Sequence, residues 1–326
     1  MNVFRAPLVA AAVAAAASLF TPDLAAAQLA GLTTDNKLVT FDAANPAVLL
    51  SSVAITGLQS GENVLGIDSR PATGTLLAFT SASRLYVINP ATGAATQVGT
   101  AAFAPAFTGA EAAFDFNPAV DRIRLVSDGG QNLRLHPDTG AVAGTDTTVA
   151  YAMGDVNAGK TPAITGAAYA NPYAGTSQTT MYAIDATQDV LVTQGGPLQN
   201  PSPNTGMLFT TGALGVDTSS LVGFDISPAN VAVASLTAAG ATQSALYSIN
   251  LGSGRATKTG DIGGSTPLRD IAFLLPAGGT NVYLLPSSAK SAGLGGSVYT
   301  TDLAVTNTNA TDVTFSLRFL GNNRDG

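Results

Sequence analysis

The chain has 326 residues, no cysteine, one histidine, and 21 acidic against 14 basic side chains, a formal net charge of −7. That excludes a disulfide framework and leaves no basic patch for nucleic acid. An ordinary zinc site or a histidine-based catalytic triad would have to rest on His136 alone.

Charged residues make up 11% of the chain, against about 25% in a typical globular domain. Glu62 and Glu111 are the only glutamates, and Gly, Thr, Ser, Asn and Asp fill the vacated places. Such a composition suits strands joined by tight turns. The chain opens with a pattern expected of an export signal, residues 1–27. Arg5 is a positive leader, Ala6 to Phe20 an apolar run, and Ala25 to Ala27 a small-residue cleavage site. The apolar run is shorter than the roughly 20 residues a bilayer span needs. The expectation is a mature chain from Gln28 without a transmembrane segment, periplasmic or extracellular.

Leu38–Asp42 and Val48–Ile55 come next and read as strands. A phrase ending in proline then recurs five times: Ile67–Pro71, Phe114–Pro118, Ala168–Pro172, Phe224–Pro228 and Ile271–Pro276, the prolines 47, 54, 56 and 48 residues apart. Such a period signifies stacked copies of one small sheet, since a single unit cannot bury both its faces. The first two units align without a gap, Asp68 on Asp115, Asn89 on His136 and Thr92-Gly93 on Thr139-Gly140. Each predicts a strand ending at the proline, a second (75–80; 122–127), a third (85–89; 132–136) and a polar outer strand such as 95–98. The third strand returns at 181–185 and 246–250. Proline ends the first strand because it has no N–H for the ladder, and Asn or Asp after the third suits a turn.

The fifth unit has a first strand, Leu268–Pro276, and lacks the others, whereas Leu38–Asp42 and Val48–Ile55 look like third and outer strands lacking a first. Joining the start of the mature chain to the residues before Pro276 completes a sheet and closes a ring. The fold class is therefore all-β, a β-propeller over 28–276, with about 50 residues per blade close to known repeats. Five blades are expected; the weak third unit leaves six open. Residues 277–326 read as a linker and an incomplete β-sandwich-like segment with strands at 281–285, 298–306 and 313–320. The paired glycines 263–264 and 278–279 and the glycines of 293–296 read as turns or linkers, lacking the strand–glycine–helix setting of nucleotide loops.

The phrases Thr56-Gly57-Leu58, Gly61-Glu62, Gly66-Ile67-Asp68, Phe114–Pro118, Asp121-Arg122, Gln131–Arg134 and Asp138-Thr139-Gly140 resemble a secreted bacterial family, number 4394 among the domains of unknown function. The resemblance implies a propeller-like exported domain and no assigned activity. The tail, Tyr283–Pro286 and Tyr299–Leu303, is similar to the opening of β-sandwich modules in secreted bacterial proteins.

The densest polar set lies in the second unit. Arg122, Arg124 and Arg134 stand where the first unit has Thr75, Leu77 and Val87, with Asn132 beside them and Asp115 and Asn117 alternating on the first strand. One reading is an ion-pair network between blades, with Asp115 and Asp121 as the natural partners, because a buried arginine needs a partner. The other is a ligand site in which arginine forks grip a carboxylate or phosphate. Glu62 and Glu111 each precede a first strand, and carboxylates at that rim are candidate calcium ligands, although no Asp-x-Asp-x-Asp-Gly loop exists. Otherwise no cofactor is expected. His136 reads as a polar turn residue, and Asp68, Asp115 and Asp225, which recur at one repeat position, as acceptors for neighbouring backbone. Three functions are carried forward: a non-catalytic secreted binding or scaffold module, with an extracellular protein or glycan as possible partner; a calcium-assisted hydrolase or lactonase at the channel mouth; and a cell-surface or matrix component.

Overall fold

The structure, a computed structural model, describes residues 27–276 and two short strands beyond them. Residues 1–26, expected to be most of an export signal, residues 277–280, expected to be a linker, and most of the tail expected to form strands lie outside the described residues.

Five sheets form around one axis. Blade one holds β4 (Val64–Ser69), β5 (Leu76–Thr80), β6 (Leu85–Ile88) and β7 (Ala95–Val98). Blade two holds β8 (Ala112–Asn117), β9 (Arg122–Ser127), β10 (Asn132–Leu135) and β11 (Val142–Thr145). In blade three, β13 (Ile164–Tyr169), β14 (Met181–Asp185), β15 (Val190–Gln194) and β16 (Met207–Ala213) are joined by a fifth, parallel strand, β12 (Ala150–Tyr151). Blade four runs β17 (Thr218–Ile226), β18 (Ala232–Ala238), β19 (Ala245–Ile249) and β20 (Ala256–Asp261). Blade five takes its innermost strand, β21 (Leu268–Phe273), from the end of the domain, and β1 (Gln28–Thr33), β2 (Lys37–Asp42) and β3 (Asn45–Ala54) from the beginning.

The ring therefore closes as the sequence suggests. Ala30 pairs with Ala272, and Gly31 with both Ile271 and Val39, in one antiparallel sheet. The five inner strands β4, β8, β13, β17 and β21 each lie against the next, and β21 returns to β4. A second unit, Tyr283–Gly326, is described only by the antiparallel pair β22 (Ser291–Ala292) and β23 (Val298–Tyr299).

Apolar alternation on the strands puts one buried cluster in each seam between blades. Between blades one and two, Phe79 meets Phe107 edge-on at 4.9 Å and stacks on Phe114 at 6.2 Å, with Leu125 and Leu133 beside them. Each aromatic so buried contributes about 1.5–3 kcal/mol. Small residues set how closely the inner strands approach. Gly66, Gly166 and Gly223 occupy equivalent places on β4, β13 and β17, and a Cβ at Gly223 would sit 2.4 Å from the backbone nitrogen of Ile271. The third-strand turns are closed by the residue type the repeat supplies: Asn89 Oδ1 accepts from the Ala91 N–H, Asn250 Oδ1 from Gly252, and Asp185 Oδ1 from Thr187.

Candidate functional site

At the centre, the recurring aspartates face the neighbouring blade. The Asp68 carboxylate accepts the N–H of Phe116 at 2.8 Å and of Ser69 at 2.7 Å. Asp115 accepts the N–H of Tyr169 at 2.9 Å. Asp225 accepts from Phe273 and Ile226, both at 2.6 Å. Asp270, two residues before the corresponding place on β21, accepts from Ile67 at 2.8 Å and Ile271 at 2.9 Å. Four of the five seams are thus stitched from an inner-strand side chain to the next blade's backbone. In blade three the equivalent residue is Ala168, so the seam between blades three and four lacks the stitch.

These carboxylates are buried, and burial is the main cause of their raised pKa values. The Asp225 charge adds to it at Asp68, and the Asp68 charge at Asp115. Burial also lifts Asp270 well above the ordinary range, and it pushes Asp225 up to about 7, against the backbone hydrogen bonds that favour its charged form. Asp68, Asp115 and Asp225 bring one oxygen each within 4.8 Å of one another. Calcium takes six to eight oxygens. Here Asp68 and Asp225 already commit both oxygens to backbone N–H groups, leaving Asp115 one oxygen without a hydrogen bond among the described residues.

Outward from Asp115, the second seam is filled by an arginine network. Asp115, Arg124 and Arg134 are register partners across β8, β9 and β10. Arg124 is 2% exposed. It donates to Asp146 at 2.6 Å, Asn132 at 2.8 Å, Asn204 at 2.6 Å and the Tyr169 hydroxyl at 3.4 Å. Arg134 makes a two-pronged pair with Asp146 at 2.8 and 2.9 Å. Burial works to raise the Asp146 pKa, but the hydrogen bonds from Arg134 and Arg124 outweigh it and hold the group below the usual carboxylate range. Asn132 also donates to the carbonyls of Thr147 and Pro203.

The carboxylate partner is therefore Asp146, in place of Asp115 and Asp121. Asp115 turns to the Tyr169 backbone, and Asp121 pairs with Arg70 of blade one. Arg122 lies apart from the network, donating to the Asp121 carbonyl at 2.8 Å, and Asn117 donates to Gln199 at 3.0 Å.

The two glutamates hold cations of the chain itself. Glu62, 7% exposed, accepts from Arg84 and from the Tyr86 hydroxyl, both at 2.6 Å. Glu111 pairs with Arg269 of blade five; burial raises its pKa against the opposing Arg269 charge. The His136 imidazole Nδ1 accepts the Asp138 N–H at 3.2 Å in a turn, as the repeat alignment indicates.

A cleft of about 430 Å³ in the third seam has no counterpart in the sequence expectations. Its floor is the outer half of blade three, where Tyr182, Thr193 and Phe209 are register partners on the face that carries Ala168. One wall is the loop 196–201, the other Leu251 in a blade-four turn. The sequence signal was the widened spacing between the third and fourth prolines, together with Gly195-Gly196-Pro197 and Pro201-Ser202-Pro203.

The chain belongs to the family described as a domain of unknown function (DUF4394), whose profile matches residues 37–272. No curated protein matches. Solved structures similar to it include Kuenenia stuttgartiensis hydrazine synthase (13% identity, TM-score 0.37, 64% of this chain and 52% of that one). Others are the dihydro-heme d1 dehydrogenase NirN (12%, 0.36, 76% and 46%) and a chain of a nidogen–laminin complex (10%, 0.42, 76% and 98%). The chain spans about half the length of the first two. Likeness at this level carries no argument about function. Among the described residues no helix is long and apolar enough to cross a membrane.

Proposed function

We propose that this member of a family without an assigned activity is an exported, non-catalytic β-propeller that serves as a rigid binding module. One observation carries the reading: the side chains with acid–base or ion-binding chemistry are spent on contacts within and between blades. Arg124 and Arg134 share Asp146, Glu62 holds Arg84 and Tyr86, Glu111 holds Arg269, and the inner aspartates accept backbone N–H groups. A catalytic carboxylate needs an oxygen available to substrate or metal; Asp68, Asp225, Asp270, Glu62 and Asp146 have both oxygens engaged, and among the described residues Asp115 and Glu111 keep one each. The export expectation comes from the Arg5 leader and the apolar run after it.

A second reading, a metal-assisted hydrolase, draws on the three convergent oxygens of Asp68, Asp115 and Asp225. The two separate on a hydrolysis panel of chromogenic esters, lactones, phosphomonoesters and glycosides, run with millimolar calcium and with chelator. The binding reading expects no turnover and no calcium-dependent gain in melting temperature. Calcium-dependent turnover lost in Asp115→Asn or Glu62→Ala would install the hydrolase in its place.

A further inference from the structure

We infer that the cleft in the seam between blades three and four is the ligand site of this module, and that it takes a neutral saccharide. The inference rests on the binding reading above.

The cleft is built to stay open. Loop 196–201 is tied to itself: Gly196 N–H to the Pro201 carbonyl at 2.8 Å, Gln199 N–H to Gly196 at 3.1 Å and Asn200 N–H to Pro197 at 3.1 Å. The Leu198 N–H is anchored on the Thr180 hydroxyl at 2.9 Å. A Cβ at Gly196 would lie 1.9 Å from the Asn200 carbonyl oxygen, so only glycine permits this closure. The volume lies within the roughly 300–1,000 Å³ of small-molecule sites.

The lining chemistry selects the ligand. Tyr182 and Phe209 present half-buried rings, and Leu251 adds an apolar edge. The Tyr182, Thr193 and Thr211 hydroxyls and the Asn200 side-chain amide make no hydrogen bond among the described residues, in contrast to Arg124 and Asn132 of the neighbouring seam. No carboxylate, guanidinium or ammonium group lines the cleft. Aromatic faces with uncommitted hydroxyl and amide groups, and no charge, match a sugar ring: C–H faces to stack on the rings and hydroxyls to exchange hydrogen bonds. An extended peptide would seek an open sheet edge. The outer edge of β16 is occupied by β12 at Met207 and Leu208, and the Asp155 carboxylate takes the Thr210 N–H at 2.7 Å.

The test is isothermal titration of the whole chain with neutral hexasaccharides: β-1,4-glucose, α-1,4-glucose, β-1,4-mannose and β-1,4-N-acetylglucosamine. Hexagalacturonate is the acidic control, and reducing ends are measured in parallel. At least one neutral hexasaccharide is expected to bind, with affinity falling at least tenfold in Phe209→Ala and in Thr193→Val. Thr193→Val preserves shape and serves if Phe209→Ala fails to fold. Binding unchanged in folded variants overturns the cleft and leaves the binding module standing. Binding that is lost in both variants but accompanied by cleavage supports the cleft and overturns the non-catalytic reading. No neutral ligand, or the acidic one alone, overturns the inference.

Discussion

Two adjacent seams of this propeller solve the same packing problem in opposite ways. Between blades two and three, Asp115 holds the Tyr169 backbone, and Arg124, Asn132, Arg134 and Asp146 fill the outer half with hydrogen bonds. Between blades three and four, Ala168 replaces the aspartate and apolar packing against Phe224 and Val222 fills the inner half. The outer half is left open as the cleft beside Tyr182 and Phe209. The comparison teaches where a repeat protein has freedom. The ring requires each seam to be closed near the axis, while the periphery can be filled or left for a ligand.

The largest effect is expected from breaking the filled seam. Arg124→Ala strips Asp146 of one buried partner and should cost about 3–5 kcal/mol, read as a drop in melting temperature on the order of 10 °C by calorimetry. If that variant melts like the parent, the network is not holding the seam. Next comes the stitch itself. Asp115→Ala leaves the Tyr169 N–H buried without its acceptor, a cost of about 1–3 kcal/mol, whereas Asp115→Asn keeps an acceptor oxygen and removes the buried charge. The asparagine variant should melt at or above the parent at pH 8 and the alanine variant below it; the reverse order would deny the stitch. The smallest effect belongs to the open seam. Thr193→Val should leave the melting temperature within about 1–2 °C, since half-exposed sites away from such networks shift stability by about 0.5 kcal/mol. A large loss there would show the cleft to be part of the core.

The repeat made the ring legible. The proline phrase located every inner strand, the orphan strands at both ends foretold the shared blade, and Asp68, Asp115 and Asp225 betrayed a common duty by recurring. What stayed hidden lies off the repeat. Asp146 follows β11 at a place with no counterpart phrase, and Asn204 reaches Arg124 from a short 3-10 turn 80 residues away. Asp270 does the work of the other aspartates two residues early on β21, so alignment on proline does not reveal it. The third unit read as weak because it carries the inserted loop 195–206, part of which walls the cleft, and the extra strand β12 on the edge of β16. Periodicity reports what every blade shares; a site made by one blade's departure leaves only a change in spacing.

The account stands on the inner aspartates being structural acids. Their raised pKa values mean that the folded chain holds protons the unfolded chain gives up. Their contribution to stability is complete below the unfolded value of about 3.9 and is lost as pH rises through the folded values, which for Asp225 is about 7. Asp146, held low, acts in the opposite sense and costs stability only as pH falls below about 4. Melting curves of the parent and of Asp115→Asn between pH 5 and pH 8, with and without millimolar calcium, test this most directly. The parent should melt several degrees lower at pH 8 than at pH 5, the variant should show a shallower decline, and calcium should move neither. A parent whose melting temperature is flat or rises with pH, or is lifted by calcium in a way the variant loses, would make those carboxylates an ion-binding centre and contradict the account.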